Sequence, residues 1–326
     1  MLLNLILLVL FPVYTNQEKH IGYIERLSPE INKLIELDTK IEILAEGFEW
    51  SEGPIWSKSL NSILFSDVPN NVIYKWNEKN GLSVFSKPIG YTGKVPNLKK
   101  AGTNGLTIDS EGNLIICMHG DRMIAKMENL NIKKISSLIT SYNNKLFNSP
   151  NDLVYDSKGN LFFTDPPYGL LNGDDDELKE ILFNGVYKLS PNGDLKVLIK
   201  NLSRPNGISI SNDEKTLYVA NSDNNNPIIM KYELYEGGVK NPMVFFDGKE
   251  LAKKDIGLFD GLKVHPSGNV FATGPGGVLV IKENGDHIGT IKTEVRTANC
   301  AFDDEFKYLY MTSDMFLTRI KINQIL

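Results

Sequence analysis

The stretch Asn151-Asp-Leu-Val-Tyr-Asp-Ser-Lys-Gly-Asn-Leu-Phe-Phe163 decides the fold. A polar residue opens a short apolar strand, a tight turn follows, and a second strand leaves it. Asp, Ser, Gly and Asn suit the turn because they tolerate positive φ or hydrogen-bond their own backbone. The flanks are β-branched and aromatic, as strands require. The pattern recurs at Glu52-Gly-Pro-Ile-Trp-Ser-Lys-Ser-Leu-Asn-Ser-Ile-Leu-Phe65, Asn104-Gly-Leu-Thr-Ile-Asp-Ser-Glu-Gly-Asn-Leu-Ile-Ile-Cys117 and Asn206-Gly-Ile-Ser-Ile-Ser-Asn-Asp-Glu-Lys-Thr-Leu-Tyr-Val219. It returns at Asp260-Gly-Leu-Lys-Val-His-Pro-Ser-Gly-Asn-Val-Phe-Ala272 and Asn299-Cys-Ala-Phe-Asp-Asp-Glu-Phe-Lys-Tyr-Leu-Tyr-Met311. Copies lie roughly 40–55 residues apart, the period of a four-stranded propeller blade.

The spacers carry further strand signals, such as Gly185-Val-Tyr-Lys-Leu-Ser190 and Leu195-Lys-Val-Leu-Ile199. Six copies predict an all-β, six-bladed β-propeller around a central channel. Unassigned strands at Ile41-Glu-Ile-Leu44 and Leu317-Thr-Arg-Ile-Lys-Ile322 are expected to share one blade and close the ring. Residues 41–326 thus read as one propeller. Residues 19–40 read as an N-terminal extension, with a short helix over 28–37.

Composition excludes some partners. The 326 residues carry a net charge of −5 and no long Lys/Arg cluster, so nucleic acid is not expected. The start, Met1-Leu-Leu-Asn-Leu-Ile-Leu-Leu-Val-Leu-Phe-Pro-Val-Tyr14, is too short for a comfortable membrane span and fits the apolar region of a secretory signal. It lacks a basic leading segment and a good cleavage site. Residues 1–18 are read as a signal peptide or hydrophobic N-terminal segment. Secretion or a periplasmic location is expected, and a cytoplasmic one if the segment is no signal. Cys117 and Cys300 lie in apolar runs without zinc-site spacing and are expected to be buried free thiols.

In a propeller, one fixed repeat position faces the same axis from every blade. Here that position holds Glu52, Asn104, Asn151, Asn206, Asp260 and Asn299. Unpaired carboxylates in a narrow channel are costly. A bound cation removes the cost, and hard oxygen donors favour Ca²⁺ or Mg²⁺ over zinc. A central metal site is therefore expected.

Several segments resemble the senescence-marker-protein/gluconolactonase/luciferin-regenerating-enzyme-like family. They are Glu52-Gly-Pro-Ile-Trp56, Ser149-Pro-Asn-Asp152, Arg204-Pro-Asn-Gly207 and Phe259-Asp-Gly-Leu262. His119-Gly-Asp-Arg122 and Phe163-Thr-Asp-Pro-Pro-Tyr-Gly169 resemble its gluconolactonase branch. The resemblance spans about residues 40–322 in consistent order. It implies a six-bladed propeller and one divalent cation, commonly Ca²⁺, with Zn²⁺ or Mn²⁺ as substitutes. By motif it implies Glu52, Asn151, Asn206 and Asp260 as ligands. Asn104 and Asn299 are expected to line the site without binding the ion directly. The chain departs from the family pattern at Phe302-Asp303-Asp304, where many members have Gly-Gly after the Phe.

The expected reaction is hydrolysis of a small sugar lactone, with the metal polarising the carbonyl and Asp260 accepting a proton from the attacking water. No Ser/His/Asp triad is evident, and His265 and His287 lie in turns. His119 and Arg122 are expected to touch substrate, and Asp165 and Tyr168 to cap the entrance. The acidic run Asn172-Gly-Asp-Asp-Asp-Glu177 reads as a solvated loop or a lid. Two rival readings remain: an organophosphate, aryl-ester or other lactone hydrolase of the same propeller type, and a non-catalytic ligand-binding propeller.

Overall fold

The structure, a computed structural model, describes residues 19–97 and 99–324; the apolar segment over 1–18 lies outside the described residues. The repeat's turn forms as its residues require. In the third copy Asp156 Oδ1 accepts from the amides of Lys158 at 3.0 Å and Asn160 at 2.8 Å. Gly159 supplies φ +79°, and Leu153 then pairs with Phe163 across the hairpin. Asp109 with Gly112 repeats this device in the second copy, at φ +83°. In the sixth copy Asp303 Oδ1 accepts from Lys307 and Tyr308, so the Asp-Asp departure closes its turn by a side chain.

Six antiparallel blade sheets follow, beside one two-stranded hairpin of Ser141–Tyr142 with Lys145–Leu146. Their first strands are Ser51–Ser57, Thr103–Ile108, Leu153–Tyr155, Pro205–Ile210, Leu262–Val264 and Asn299–Phe302. Each packs against the first strands of the sheets before and after it, and the sixth returns to the first. The later strands of each sheet run outward in chain order. The ring closes where Glu42–Glu46 pairs with Phe316–Lys321, so an early strand and the last strand share the sixth blade. Arg319 ties this seam: it donates to Glu42 at 2.8 Å, binds Glu78 of the first blade and lies 4.5 Å from the Tyr308 ring.

The core is distributed between neighbouring blades. Leu64 and Ile73 of the first pack with Leu106 and Ile116 of the second. Phe163 and Tyr187 of the third stack at 5.1 Å and meet Ile115 and Cys117 of the second. Each such buried side chain contributes about 1.5–3 kcal/mol relative to exposure. Cys117 and Cys300 are buried and free.

Residues 19–40 are built into the propeller. Tyr23–Arg26 adds a fifth strand to the fifth blade, against His287–Lys292. Pro29–Lys33 is a single 3-10 helix capped by Ser28, shorter than the helix expected over 28–37. Ile31 within it and Leu34 and Ile35 just after it are buried in the core between the fifth and sixth blades, which anchors this segment. Among the described residues no helix is long and apolar enough to cross a membrane.

One sequence feature brings the axial residues together. A glycine follows four of the six: Gly53, Gly105, Gly207 and Gly261. A Cβ at Gly53 would stand 2.1 Å from the Asn104 carbonyl oxygen, at Gly105 2.4 Å from that of Asn151, and at Gly207 2.0 Å from that of Asp260. At Gly261 it would meet the Asn299 side chain at 2.0 Å. Glycine is needed here for close approach of backbone to backbone around the channel. Hydroxyls complete the ring: Ser66 donates to the Asn104 carbonyl and Thr164 to that of Asn206, each at 2.7 Å.

Candidate active site

A cavity of about 1000 Å³ opens onto the axis, with Glu52, Asn104, Asn151, Asn206 and Asp260 on its wall. Glu52 is 2 % exposed. Its Oε2 accepts from the Gly53 amide at 2.6 Å and from Asn299 Nδ2 at 3.3 Å. Burial, opposed by the Gly53 amide and reinforced by Asp152, pushes its carboxyl up to about 7. Asp260 is partly open to the cavity, yet its Oδ1 is buried. Burial, and then the Glu52 and Asp152 carboxylates, drive the Asp260 carboxyl well above its ordinary range.

Three buried oxygens in this group have no hydrogen-bond partner: Asn104 Oδ1, Asn206 Oδ1 and Asp260 Oδ1. Buried polar atoms are rarely left so, and each costs about 1–3 kcal/mol unless something satisfies it. Two crowded carboxyls beside unpartnered amide oxygens form a hard, anionic donor set that fits a divalent cation. Among the described residues no three His, Cys, Asp or Glu side chains converge as a metal centre. The fit here depends on amides completing a two-carboxylate set.

Two other expected residues line the cavity. His119 is 2 % exposed, with Nδ1 unpartnered. Burial and then the Lys99 ammonium lower its imidazole to about 3, so it is neutral near pH 7. Tyr168 donates its hydroxyl to the Ser222 carbonyl at 3.1 Å. Burial raises the phenol to about 12, which makes it a neutral donor rather than a base.

Three of the residues expected at the site lie off the cavity wall. Arg122 is 1 % exposed, at a left-handed φ of 56°, and is not on the cavity wall. Its Nε donates to the Phe147 carbonyl at 2.6 Å and its guanidinium lies 3.7 Å from Glu180. Asp165 is fully buried and accepts from the amides of Asn148 at 2.8 Å and Ser149 at 2.7 Å. It shapes the turn that delivers Asn151. Asn299 also lies off the cavity wall, behind Glu52. The acidic loop is tied down: Asp174 pairs with Arg204, and Asp176 accepts from the amides of Asn172 and Leu178.

Sequence reasoning missed Asp152 and Lys263, which stand 3.9 Å apart near Asn299. It also missed Lys99, Arg204 and Arg296 on the cavity wall. Asp152 had one visible signal, since it stands where four other repeats carry glycine. The wall cations come from loops outside the repeat, and nothing in its period marks them.

Residues 50–315 match the SMP-30/Gluconolactonase/LRE-like region. A gluconolactonase of Zymomonas mobilis is 36% identical over 308 residues, covering 92% of this chain and 86% of its own. The solved structure of a gluconolactonase from Xanthomonas campestris superposes with a TM-score of 0.82 at 26% identity, over 94% of this chain and 98% of that one. A calcium-binding protein, regucalcin from Agrobacterium tumefaciens, shares the fold, with a TM-score of 0.68 at 17% identity over 87% of this chain and 95% of that one.

Proposed function

The chain belongs to the SMP-30/Gluconolactonase/LRE-like family, and from that premise we propose that it hydrolyses a small sugar lactone at the axial cavity, with one divalent cation held there. The observation that carries this is the pair of unpartnered buried oxygens on Asn206 and Asp260 beside the crowded carboxyl of Glu52. Glu52, Asn151, Asn206 and Asp260 would hold the ion. Ca²⁺ suits the all-oxygen set, and a structural neighbour is named as calcium-binding. Zn²⁺ or Mn²⁺ could take the same place. A bound cation supplies Lewis acidity toward a carbonyl oxygen.

The protein's own groups do the rest. Asp260, open to the cavity on one side, accepts a proton from the water that attacks the lactone carbonyl carbon. The ring C–O bond then breaks, and Asp260 returns the proton to the departing ring oxygen, giving a hydroxy acid. Asn151 and Asn206 orient substrate hydroxyls through their NH₂ groups. Neutral His119 and the Tyr168 phenol shape the wall above them.

The charged side chains of Lys99, Arg204 and Arg296 on the wall favour a polyhydroxylated sugar lactone over a lipophilic ester or a phosphotriester. Turnover of glucono-δ-lactone, an aryl ester and a phosphotriester at equal concentration separates these readings. Preferential hydrolysis of the lactone is expected. Preference for the phosphotriester would move the substrate assignment, and no turnover of any of the three would favour a binding propeller.

A further inference from the structure

Asn299 is a hub behind the axial oxygens. Its Nδ2 donates to Glu52 Oε2 at 3.3 Å and to Asp152 Oδ2 at 3.4 Å. Its Oδ1 accepts from the Cys300 amide at 2.9 Å and from Lys263 Nζ at 3.5 Å. Two acceptors face the nitrogen and two donors face the oxygen, so an amide flip would reverse all four contacts. The orientation of this side chain is therefore fixed by its surroundings. Glu52 Oε2 is held twice, by Gly53 and by Asn299, which leaves the carboxylate's other oxygen for the axial cluster.

Charge runs the same way. Asp152 stands behind Glu52 and shares the Asn299 amide with it. Lys263 stands 3.9 Å from Asp152 and compensates it.

We propose that Asn299 is a positioning residue that aims Glu52 at a single divalent cation, with Lys263 and Asp152 as a compensated pair behind it, and that it does not touch the lactone. This rests on the cation reading above and adds a residue and a division of labour to it. Metal-bound side chains commonly depend on such hydrogen-bonded supports, and losing one typically weakens metal binding by about 10–100-fold.

The test is Ca²⁺ titration calorimetry on the full chain, comparing wild type with Asn299→Leu, close in volume, and Asn299→Ala. Folding of each variant is checked by circular dichroism and a cooperative melt, so that either one can decide if the other fails to fold. Wild type is expected to take up one Ca²⁺, and the variants to bind it about 10–100-fold more weakly. At saturating Ca²⁺ the KM for glucono-δ-lactone is expected to match wild type. A folded variant with wild-type Ca²⁺ affinity overturns the proposal. So does a raised KM that persists at saturating Ca²⁺, because that marks direct substrate contact. Absence of Ca²⁺, Zn²⁺ and Mn²⁺ binding by wild type would instead overturn the cation reading itself.

Discussion

The carbonyl oxygen of Asp260 occupies the space that a Cβ at Gly207 would need, at a separation of 2.0 Å. Adjacent blades therefore meet at the axis by backbone contact. Gly207→Ala must push the fourth and fifth blades apart at the point where Asn206 and Asp260 converge. A loss on the order of 3 kcal/mol is expected, at or above the upper end for overpacking, because the obstruction is backbone and cannot rotate away. Denaturant melts check the stability, and lactone turnover is expected to fall with it.

Glu52 is expected to destabilise the chelated protein. Its carboxyl is buried, pushed up to about 7, and lies near Asp152 and Asp260. Replacing it by Gln removes the buried charge while keeping shape. In excess chelator Glu52→Gln is expected to be more stable than wild type by about 1 kcal/mol or more. In excess Ca²⁺ the order is expected to reverse. Thermal melts under both conditions give the comparison, and an unchanged order would contradict the role given to this carboxylate.

Arg122 separates architecture from substrate contact. Its guanidinium is buried against the Phe147 carbonyl and Glu180, off the cavity wall. Arg122→Ala leaves these groups unmatched and is expected to lower stability by about 3 kcal/mol. Where the variant remains folded, its KM for the lactone is expected to equal that of wild type. A selective rise in KM would return Arg122 to the substrate site.

Acid sensitivity should follow the buried histidines. Burial lowers His265 to about 4, and its ring sits among Phe271, Phe302 and Phe306 with Nδ1 bound to Ser267. The unfolded chain takes up this proton near pH 6.5, before the folded one does. Between about pH 6.5 and 4 the unfolded state holds more protons, so stability falls as pH falls. Neutral His119 acts in the same direction. His265→Gln is expected to flatten the decline by up to about 2 kcal/mol between pH 7 and 4.5, read from urea melts at both pH values.

The six-blade architecture was legible because its cause is local and repeated. Asp156 and Gly159 build a hairpin from neighbours in sequence, and Asp109 with Gly112 does so again. The seam was legible too, since strand character over 41–44 and 317–322 had no other partner. The axial residues could be read for the same reason: a fixed repeat position meets one axis. Arg122 could not, because its left-handed backbone and its partner Phe147 depend on how two loops cross. Lys263 was missed because its ammonium matters only through Asp152 and Asn299, distant in the chain. The added strand Tyr23–Arg26 follows no repeat, so its pairing with the fifth blade had no periodic signal.

Chelation followed by add-back probes the axial cluster most directly. Wild-type protein is treated exhaustively with a divalent chelator, assayed on glucono-δ-lactone, and assayed again after stepwise Ca²⁺ addition. Turnover should vanish with the metal and return in full at one equivalent of bound Ca²⁺. Undiminished turnover in protein shown to be free of divalent metal would contradict the catalytic role assigned to Glu52, Asn151, Asn206 and Asp260.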